Sequence, residues 1–145
     1  MKIVRENINL IKMVKDIPYL NFEKSGEPLK DIDLGMKARI SQWLDMMEIE
    51  DYRINKDLSI DVAQDVNLIG QELEELPEFI KFNKIWGGFY AGGNPWQSLK
   101  GFPNEVYGDL QINSISNFIE NGLMNPKINE KSIKKLIKVH GKIWV

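Results

Sequence analysis

Few residues in this chain of 145 could carry catalysis or bind a metal. It has no cysteine and one histidine, His140, so neither a Cys–His pair nor a two-histidine metal site can form within one chain. Asp61 and Asp65 are near each other in sequence, but acidic pairs on a protein surface are usually just solvated. We expect His140 to follow the last helix, where the helix dipole favours it. The residue types therefore predict no enzyme activity and no cofactor.

Two short motifs resemble ion or phosphate sites without meeting their requirements. The Asn-x-Asp-x-Ser pattern at residues 55–59 resembles the start of a calcium loop. Ile60 stands where that loop needs glycine, and Val66 stands where it needs glutamate. Gly87-Gly88 and Gly92-Gly93 are not followed by the lysine and hydroxyl residue of a phosphate loop. We therefore expect no metal site and no phosphate site.

The spacing of large aromatic residues instead predicts a surface for binding. On a strand, alternate residues point to opposite faces. If Phe89 and Ala91 point inward, Tyr90 points outward. The same alternation sends Trp86 and Tyr107 outward, and because they are 21 residues apart they should occupy equivalent places on adjacent repeats.

Polar residues should lie beside Tyr90 on the neighbouring strands, because Asn67 and Gln111 are its expected cross-strand neighbours. Tryptophan and tyrosine are enriched in binding hot spots. The candidate partner-binding residues are therefore Trp86, Tyr90, Tyr107, Asn67 and Gln111. The alternative is that the terminal helices fold over this face and use the aromatic rings as core.

A weak internal repeat underlies this alternation. Its copies start at Asp65, Gly88 and Asp109, which are 23 and 21 residues apart, a spacing typical of leucine-rich solenoids. We predict that the strands at these starts pair in parallel, in chain order. Gly87 and Gly108 mark the re-entry into each strand, where we expect backbone angles that favour glycine.

The segments between and beside the strands are also predicted. Alternation from Ile54 to Val62 predicts two strands joined by a tight turn at residues 55–57. Residues 76–79 and 102–105 should return along the far side, away from the strands. Residues 142–145 should be a short apolar tail.

Helices are predicted on both sides of the repeat. Apolar residues at helical spacing indicate a short helix in residues 3–14 and a second helix from Lys37 to Met47, with Trp43 in the core. Asn129 or Ser132 can cap a C-terminal helix.

The length suits one compact domain with its own core. We expect a single α+β domain over residues 1–145, with N-terminal helices in 1–51. A small, mainly parallel leucine-rich-repeat-like sheet should occupy 52–115, and a C-terminal capping helix should lie in 116–145.

Charge is unevenly distributed along the chain. Residues 45–78 hold eleven acids against two bases, a net charge of −9, whereas residues 127–145 hold six lysines against one glutamate, a net of +5. Such polarity can steer a charged partner or can be complementarity within the protein. The absence of cysteine suits a reducing cytosol. The N-terminal residues lack the apolar run followed by small residues that is typical of a signal peptide, and no apolar stretch is long enough to span a bilayer.

Several runs resemble phage-encoded short proteins with degenerate leucine-rich repeats. Residues 21–28 and 54–62 resemble the leader of that family, and residues 65–68, 76–82 and 98–103 resemble its repeats. The resemblance covers most of the chain and implies a phage origin and a solenoid-like sheet, with no catalytic residue to transfer.

The chain departs from this family in two ways. It has barely two good repeats where relatives often have many. Its Ala91–Trp96 segment also replaces the usual Cys/Ser-Asn-Asn-x-Leu step.

On these grounds we expect a non-enzymatic phage accessory protein of the host cytoplasm that binds another protein, a host factor or a defence component. The alternative is a virion-associated or assembly protein that uses the same surfaces, for which a homo-oligomer would be natural. Binding to nucleic acid through the C-terminal lysines is disfavoured, because the acidic middle repels phosphates and no aromatic platform interleaves the lysines.

Overall fold

The computed structural model describes residues 31–113 and 124–145. The helix expected in residues 3–14 lies outside these ranges. The chain divides into two compact units, Met1–Ala38 and Arg39–Val145. Of the first unit, the structure describes residues 31–38, which are helical. The second unit holds all the strands of the described residues.

The described residues contain two helices and nine strands. In chain order they are α1 (Asp31–Met46), β1 (Tyr52–Ile54), β2 (Ile60–Val62), β3 (Val66–Asn67), β4 (Phe82–Ile85), β5 (Phe89–Tyr90), β6 (Glu105–Val106), β7 (Leu110–Gln111), α2 (Glu130–Leu136), β8 (Lys138–Val139) and β9 (Ile143–Trp144). The expected α+β class is confirmed. Neither helix is long and apolar enough to cross a membrane.

The strands form two sheets that the chain visits in turn. Sheet one has the order β1-β2-β4-β6-β8, and sheet two has the order β3-β5-β7-β9. All neighbouring strands are parallel except β1 and β2, which form the expected antiparallel hairpin. Each coil of the chain therefore gives one short strand to each sheet.

The predicted parallel order of the repeat strands is confirmed. Val66 pairs with Phe89, and Phe89 pairs with Leu110, each in a parallel ladder of sheet two. Their side chains are completely buried, as the alternation required.

Two expectations about the remaining segments are wrong. The segment at 102–105 does not simply return along the far side, because it leads directly into β6, which begins at Glu105 and belongs to a second sheet. Residues 142–145 are not a loose tail, because Ile143 and Trp144 pair with β7. The expected C-terminal helical cap thus holds a helix followed by a fourth coil, with strands two residues long that show too little alternation to be recognised in sequence.

The core lies between the two sheets and extends to α1. Phe82 from sheet one and Phe89 from sheet two meet edge to face, with ring centroids 5.4 Å apart. Phe82 also contacts Trp43 of α1, with centroids 6.5 Å apart, so the expected core position of Trp43 is confirmed. On the far side, Phe102 contacts both Phe89 and the fully buried Trp96.

The two helices predicted within the described residues are present, but α1 begins six residues before its predicted start, and α2 ends at Leu136, before the expected end at Gly141. Helix α1 covers Asp31–Met46, compared with the predicted span of 37–47. Asn129 caps α2: its side chain accepts a hydrogen bond from the Ser132 backbone N–H, and the Ser132 hydroxyl accepts one from the Asn129 N–H. This reciprocal cap fixes where α2 begins.

Close approach, not backbone angle, explains the glycines at the corner between the sheets. Gly87 and Gly108 do not have positive φ, so that expectation is wrong. A Cβ on Gly108 would lie 2.8 Å from the carbonyl carbon of Gly87, and one on Gly141 would lie 2.6 Å from the carbonyl oxygen of Gly108. Three successive coils therefore stack backbone on backbone at this corner, where no side chain fits.

Two aspartates at the repeat starts also hold the corner together. The Asp65 Oδ1 atom accepts a hydrogen bond of 2.7 Å from the backbone N–H of Gly88 on the next coil. Asp109 Oδ1 accepts one of 2.8 Å from the N–H of Lys142. Each aspartate thus ties its own coil to the following one.

A buried asparagine satisfies the backbone at the opposite end of the sheet-two strands. Asn94 is 2% exposed, and its Oδ1 accepts hydrogen bonds from the N–H groups of Gln71 and Leu73. Its Nδ2 donates to the carbonyl of Leu68 at 2.8 Å and to that of Ala91 at 3.1 Å. One side chain therefore pairs buried polar groups of two coils, which would otherwise be costly to bury.

Two glycine-to-alanine substitutions test whether close approach of the coils requires glycine at the corner. Gly108→Ala should lower the free energy of unfolding by about 1–3 kcal/mol, because the added methyl group meets backbone that cannot move aside without separating the coils. Gly35→Ala is the matched control, since its Cβ meets nothing within 4 Å and the site is inside helix α1. The control should gain about 0.5–1 kcal/mol. Equal effects in urea unfolding would contradict the close-approach explanation.

Candidate functional site

The described residues show no arrangement that could hold a metal ion through three or more His, Cys, Asp or Glu side chains. Asp61 and Asp65 bind different groups: Asp61 accepts hydrogen bonds from Arg53 and Asn83, and Asp65 accepts one from Gly88. Asp61 therefore connects neighbouring strands of sheet one, and Asp65 connects two successive coils at the corner between the sheets.

Three rings stack on successive coils and form what we call the aromatic ladder, Trp86–Tyr107–His140. The centroids of Trp86 and Tyr107 are 4.4 Å apart with 22° between the ring planes. Those of Tyr107 and His140 are also 4.4 Å apart, with 5° between the planes. The predicted equivalence of Trp86 and Tyr107 on adjacent repeats is confirmed.

The parallel pairing of strands in sheet one brings these three rings next to one another. Each follows an inward residue at the end of its strand, and those residues lie side by side in the order Ile85, Val106, Val139. The N–H of Tyr107 donates to the Ile85 carbonyl, and that of His140 to the Val106 carbonyl, both at 2.9 Å. Because parallel strands are about 4.8 Å apart, equivalent rings arrive at stacking distance.

His140 is the functional candidate that the sequence interpretation missed. Helix α2 ends at Leu136, so His140 is not at a helix C-terminus as expected, but follows β8. Its Nε2 atom lies 2.7 Å from Oε2 of Glu105, and 39% of its side chain is exposed. The stretch Val139-His140-Gly141 matches Val106-Tyr107-Gly108, which is the signal that could have revealed it.

Charges of alternating sign lie next to the ladder on the outer face of sheet one. Lys84, Glu105 and Lys138 are direct neighbours on β4, β6 and β8. The hydrogen bond from His140 is the main cause that lowers the pKa of Glu105, and the hydrogen bond from Tyr107 and the charge of Lys138 add to it. Partial dehydration and the Glu105 carboxylate raise the pKa of Tyr107.

A second row of side chains, the sheet-two row, runs along sheet two and consists of Asn67, Tyr90, Gln111 and Trp144. Asn67 pairs with Tyr90, and Tyr90 with Gln111, so the predicted cross-strand neighbours are confirmed. Trp144 extends the row from β9 and was missed because its segment was expected to be a tail. The ring of Tyr90 lies against Gly88 at the corner, where a Cβ would meet Tyr90 Cζ at 2.5 Å.

Exposure differs among the ring-bearing residues. Trp86 and Trp144 are each 49% exposed, whereas Trp43 and Trp96 belong to the core with at most 6%. Tyr90 and Tyr107 are half-buried. In the described part of the chain, the indoles of Trp86 and Trp144 therefore reach solvent and are not core.

Lysines lie beside two of these rings, and one of them, Lys142, is among the C-terminal lysines. Lys84 Nζ is 5.8 Å from the ring centroid of Trp86, and Lys142 Nζ is 5.7 Å from that of Trp144. Each distance is within the range of a weak cation–π contact. The ring-bearing surface is thus partly cationic.

Comparison of the chain with protein-family models, curated proteins and solved structures finds no match.

The Glu105–His140 pair predicts a pH effect with a definite sign. A carboxylate whose pKa is lowered by folding stabilises the fold above its ordinary pKa of about 4.3, and this contribution is lost as the pH falls through the lowered value. In His140→Ala, NMR titration should show the pKa of Glu105 rising toward its ordinary value, and acid unfolding should depend less steeply on pH. Trp144→Ala is the control and should leave the pKa of Glu105 unchanged. A Glu105 pKa that does not respond to loss of His140 would contradict the assignment.

Proposed function

We propose that the protein acts without chemistry of its own, by binding another protein with the aromatic ladder and the sheet-two row. One observation supports this proposal above the others: Trp86 is 49% exposed, and its indole is nevertheless stacked on Tyr107. A large aromatic side chain that is both accessible and fixed in place has the properties of a hot-spot residue.

The rigidity of the surface supports this proposal. Binding a flexible side chain costs entropy when that side chain becomes ordered, about 0.5–1.5 kcal/mol for each one immobilised. Stacking on Tyr107 orders Trp86 in advance, and the backbone hydrogen bonds between coils hold both residues. More of the contact energy can therefore appear as affinity.

The resemblance to phage-encoded repeat proteins suggests the setting. On that proposal the chain is a phage accessory protein in the host cytoplasm, and the partner is a host factor or a defence component. The mixed composition of the surface, with rings beside Lys84, Lys138 and Glu105, suits a partner whose contact patch is apolar with both signs of charge at its rim.

Truncation of the ladder tests this function. Trp86→Ala should weaken binding by about 2 kcal/mol or more, about 30-fold, with little change in melting temperature. Capture of a partner from host lysate and thermal melting are measured on the same samples. Leu136→Ala is the control, because Leu136 is an apolar residue, 62% exposed, outside both rows. A collapse in melting temperature, or equal loss of capture in the control, would contradict the proposal.

Assembly of several copies of this chain is the second candidate function. The last strands of the two sheets, β8 and β9, favour it. In the described ranges no strand pairs with the outer edge of β8 or of β9. Because the N–H groups of Lys138 and His140 bond to the preceding coil, the backbone of Val139 between them points to the other side of β8. Such an edge can accept a strand from another copy.

Light scattering after size-exclusion chromatography separates the two candidates. The partner-binding proposal predicts a monomer at low and at moderate salt. A defined oligomer that dissociates with salt would support assembly instead, because the C-terminal lysines and the acidic segment at 45–78 would then attract each other between copies. Glu105→Gln is a control that leaves both edges intact.

A further inference from the structure

A recess of about 430 Å³ lies on the outer face of sheet one, at the end of the aromatic ladder. Trp86 forms one wall, and the hairpin residues Arg53 and Asn55 form the opposite side. Asp61 and Asn83 also line it. Its lining combines one exposed aromatic ring with eight polar or charged side chains, so a ligand there would have to be polar.

Trp86 stacks on a ring on one side only among the described residues, and Lys84 of the recess lies with its Nζ 5.8 Å from the Trp86 centroid. Tyr107 covers the face that looks toward the later coils. On the preceding coil the equivalent position is held by Ala63, because Val62 pairs with Ile85 and the Trp86 N–H donates to the Val62 carbonyl. Alanine offers no ring, so the ladder stops at Trp86, and a ligand that stacked on the indole from the recess would lie beside Lys84.

The polar side chains of the recess are held in a connected network. Arg53 donates from Nε to Asn55 Oδ1 at 3.1 Å and from Nη2 to Asp61 Oδ2 at 2.9 Å. Asn83 Nδ2 donates to Asp61 Oδ1 at 2.8 Å, and its own Oδ1 accepts from Asn104 Nδ2 at 2.9 Å. The network fixes three kinds of planar polar group beside the ring, a guanidinium, an amide and a carboxylate.

A local irregularity in the sheet makes this arrangement. Ile60 pairs with Phe82 and Val62 pairs with Ile85, so β4 has one more residue than β2 between the two pairs. Asn83 and Lys84 therefore both face Asp61, which accepts from the Asn83 side chain and from the Lys84 N–H. Bulges of this kind commonly redirect a side chain toward a site.

We propose that this recess binds a neutral saccharide. The weakly positive C–H groups on one face of a sugar ring suit the negative face of the indole. Adjacent hydroxyls, each a donor and an acceptor, suit a set of side chains in which Arg53 donates, Asp61 accepts and the Asn55 amide can do both. The site shares Trp86 with the proposed protein interface, whereas Arg53 and Asn55 belong to the recess alone.

The charges of the recess disfavour an anionic ligand. Its three cations, Arg53, Lys56 and Lys84, stand against the carboxylates of Asp57 and Asp61. The Arg53 guanidinium is already committed to Asp61 at 2.9 Å. Asp57 and Asp61 offset most of the positive charge of the lining, and an anion would meet both carboxylates. A neutral ligand with many hydroxyls therefore fits better.

Saturation-transfer NMR and calorimetry on the full chain test the proposal, with maltotriose, cellotriose and chitotriose as probes. At least one probe should bind, with a Kd of millimolar order or tighter. Trp86→Ala should weaken binding at least tenfold, whereas Trp86→Phe should retain part of it. Trp144→Ala is the matched control, because Trp144 is also 49% exposed but lies on sheet two. It should leave the Kd unchanged.

These saccharide-binding measurements test the proposal even when the protein partner is not known. No binding of any probe would overturn it, as would equal losses in Trp86→Ala and Trp144→Ala. Asn55→Ala separates the two functions, because Asn55 positions Arg53 and belongs to neither the ladder nor the sheet-two row. It should weaken the saccharide at least threefold and leave protein capture unchanged. An unchanged saccharide Kd in Asn55→Ala, with its folding verified by melting, would overturn the recess as the site.

Discussion

The close stacking of successive coils at the glycine corner is the constraint on which the rest of the structure depends. The N–H of Gly108 donates to the carbonyl of Gly87 at 2.9 Å, and that of Gly141 to the carbonyl of Gly108 at 3.0 Å. These contacts hold equivalent residues of successive coils at the spacing of paired strands. Because that spacing is also close to the stacking distance of aromatic rings, the backbone geometry itself creates the ladder of Trp86, Tyr107 and His140.

The same stacking makes the two faces of each sheet behave differently. Inside, Phe82, Phe89 and Phe102 come from different sides of the coils and fill the space with tilted and edge-to-face contacts. Outside, equivalent positions meet directly, so their chemistry must be compatible from one coil to the next. Stacked rings satisfy this condition, and so do the opposite charges of Lys84 and Glu105. The surface is therefore ordered by repetition and not by burial.

The sequence predicted the parts of the fold that depend on local alternation and failed where coils meet. Phe89 and Tyr90 could be assigned to opposite faces because alternation on a strand is local. The later strands of sheet one, such as Glu105–Val106, are too short to show a period, and only their pairing defines them. His140 was missed for the same reason: its role comes from a neighbour 33 residues away, Tyr107, and not from the helix before it.

The two ends of the ladder are chemically different, and this difference gives the surface a direction. At one end Ala63 offers no ring to stack on Trp86, which lies beside Lys84 and the hydrogen-bonded network of Asp61. At the other end His140 pairs with the carboxylate of Glu105, and this hydrogen bond lowers the pKa of Glu105. A repeat that continued with identical residues would present the same chemistry at every coil and could bind a partner in several registers. Because each coil differs from the next at this position, a partner that contacts both ends can bind in one register only.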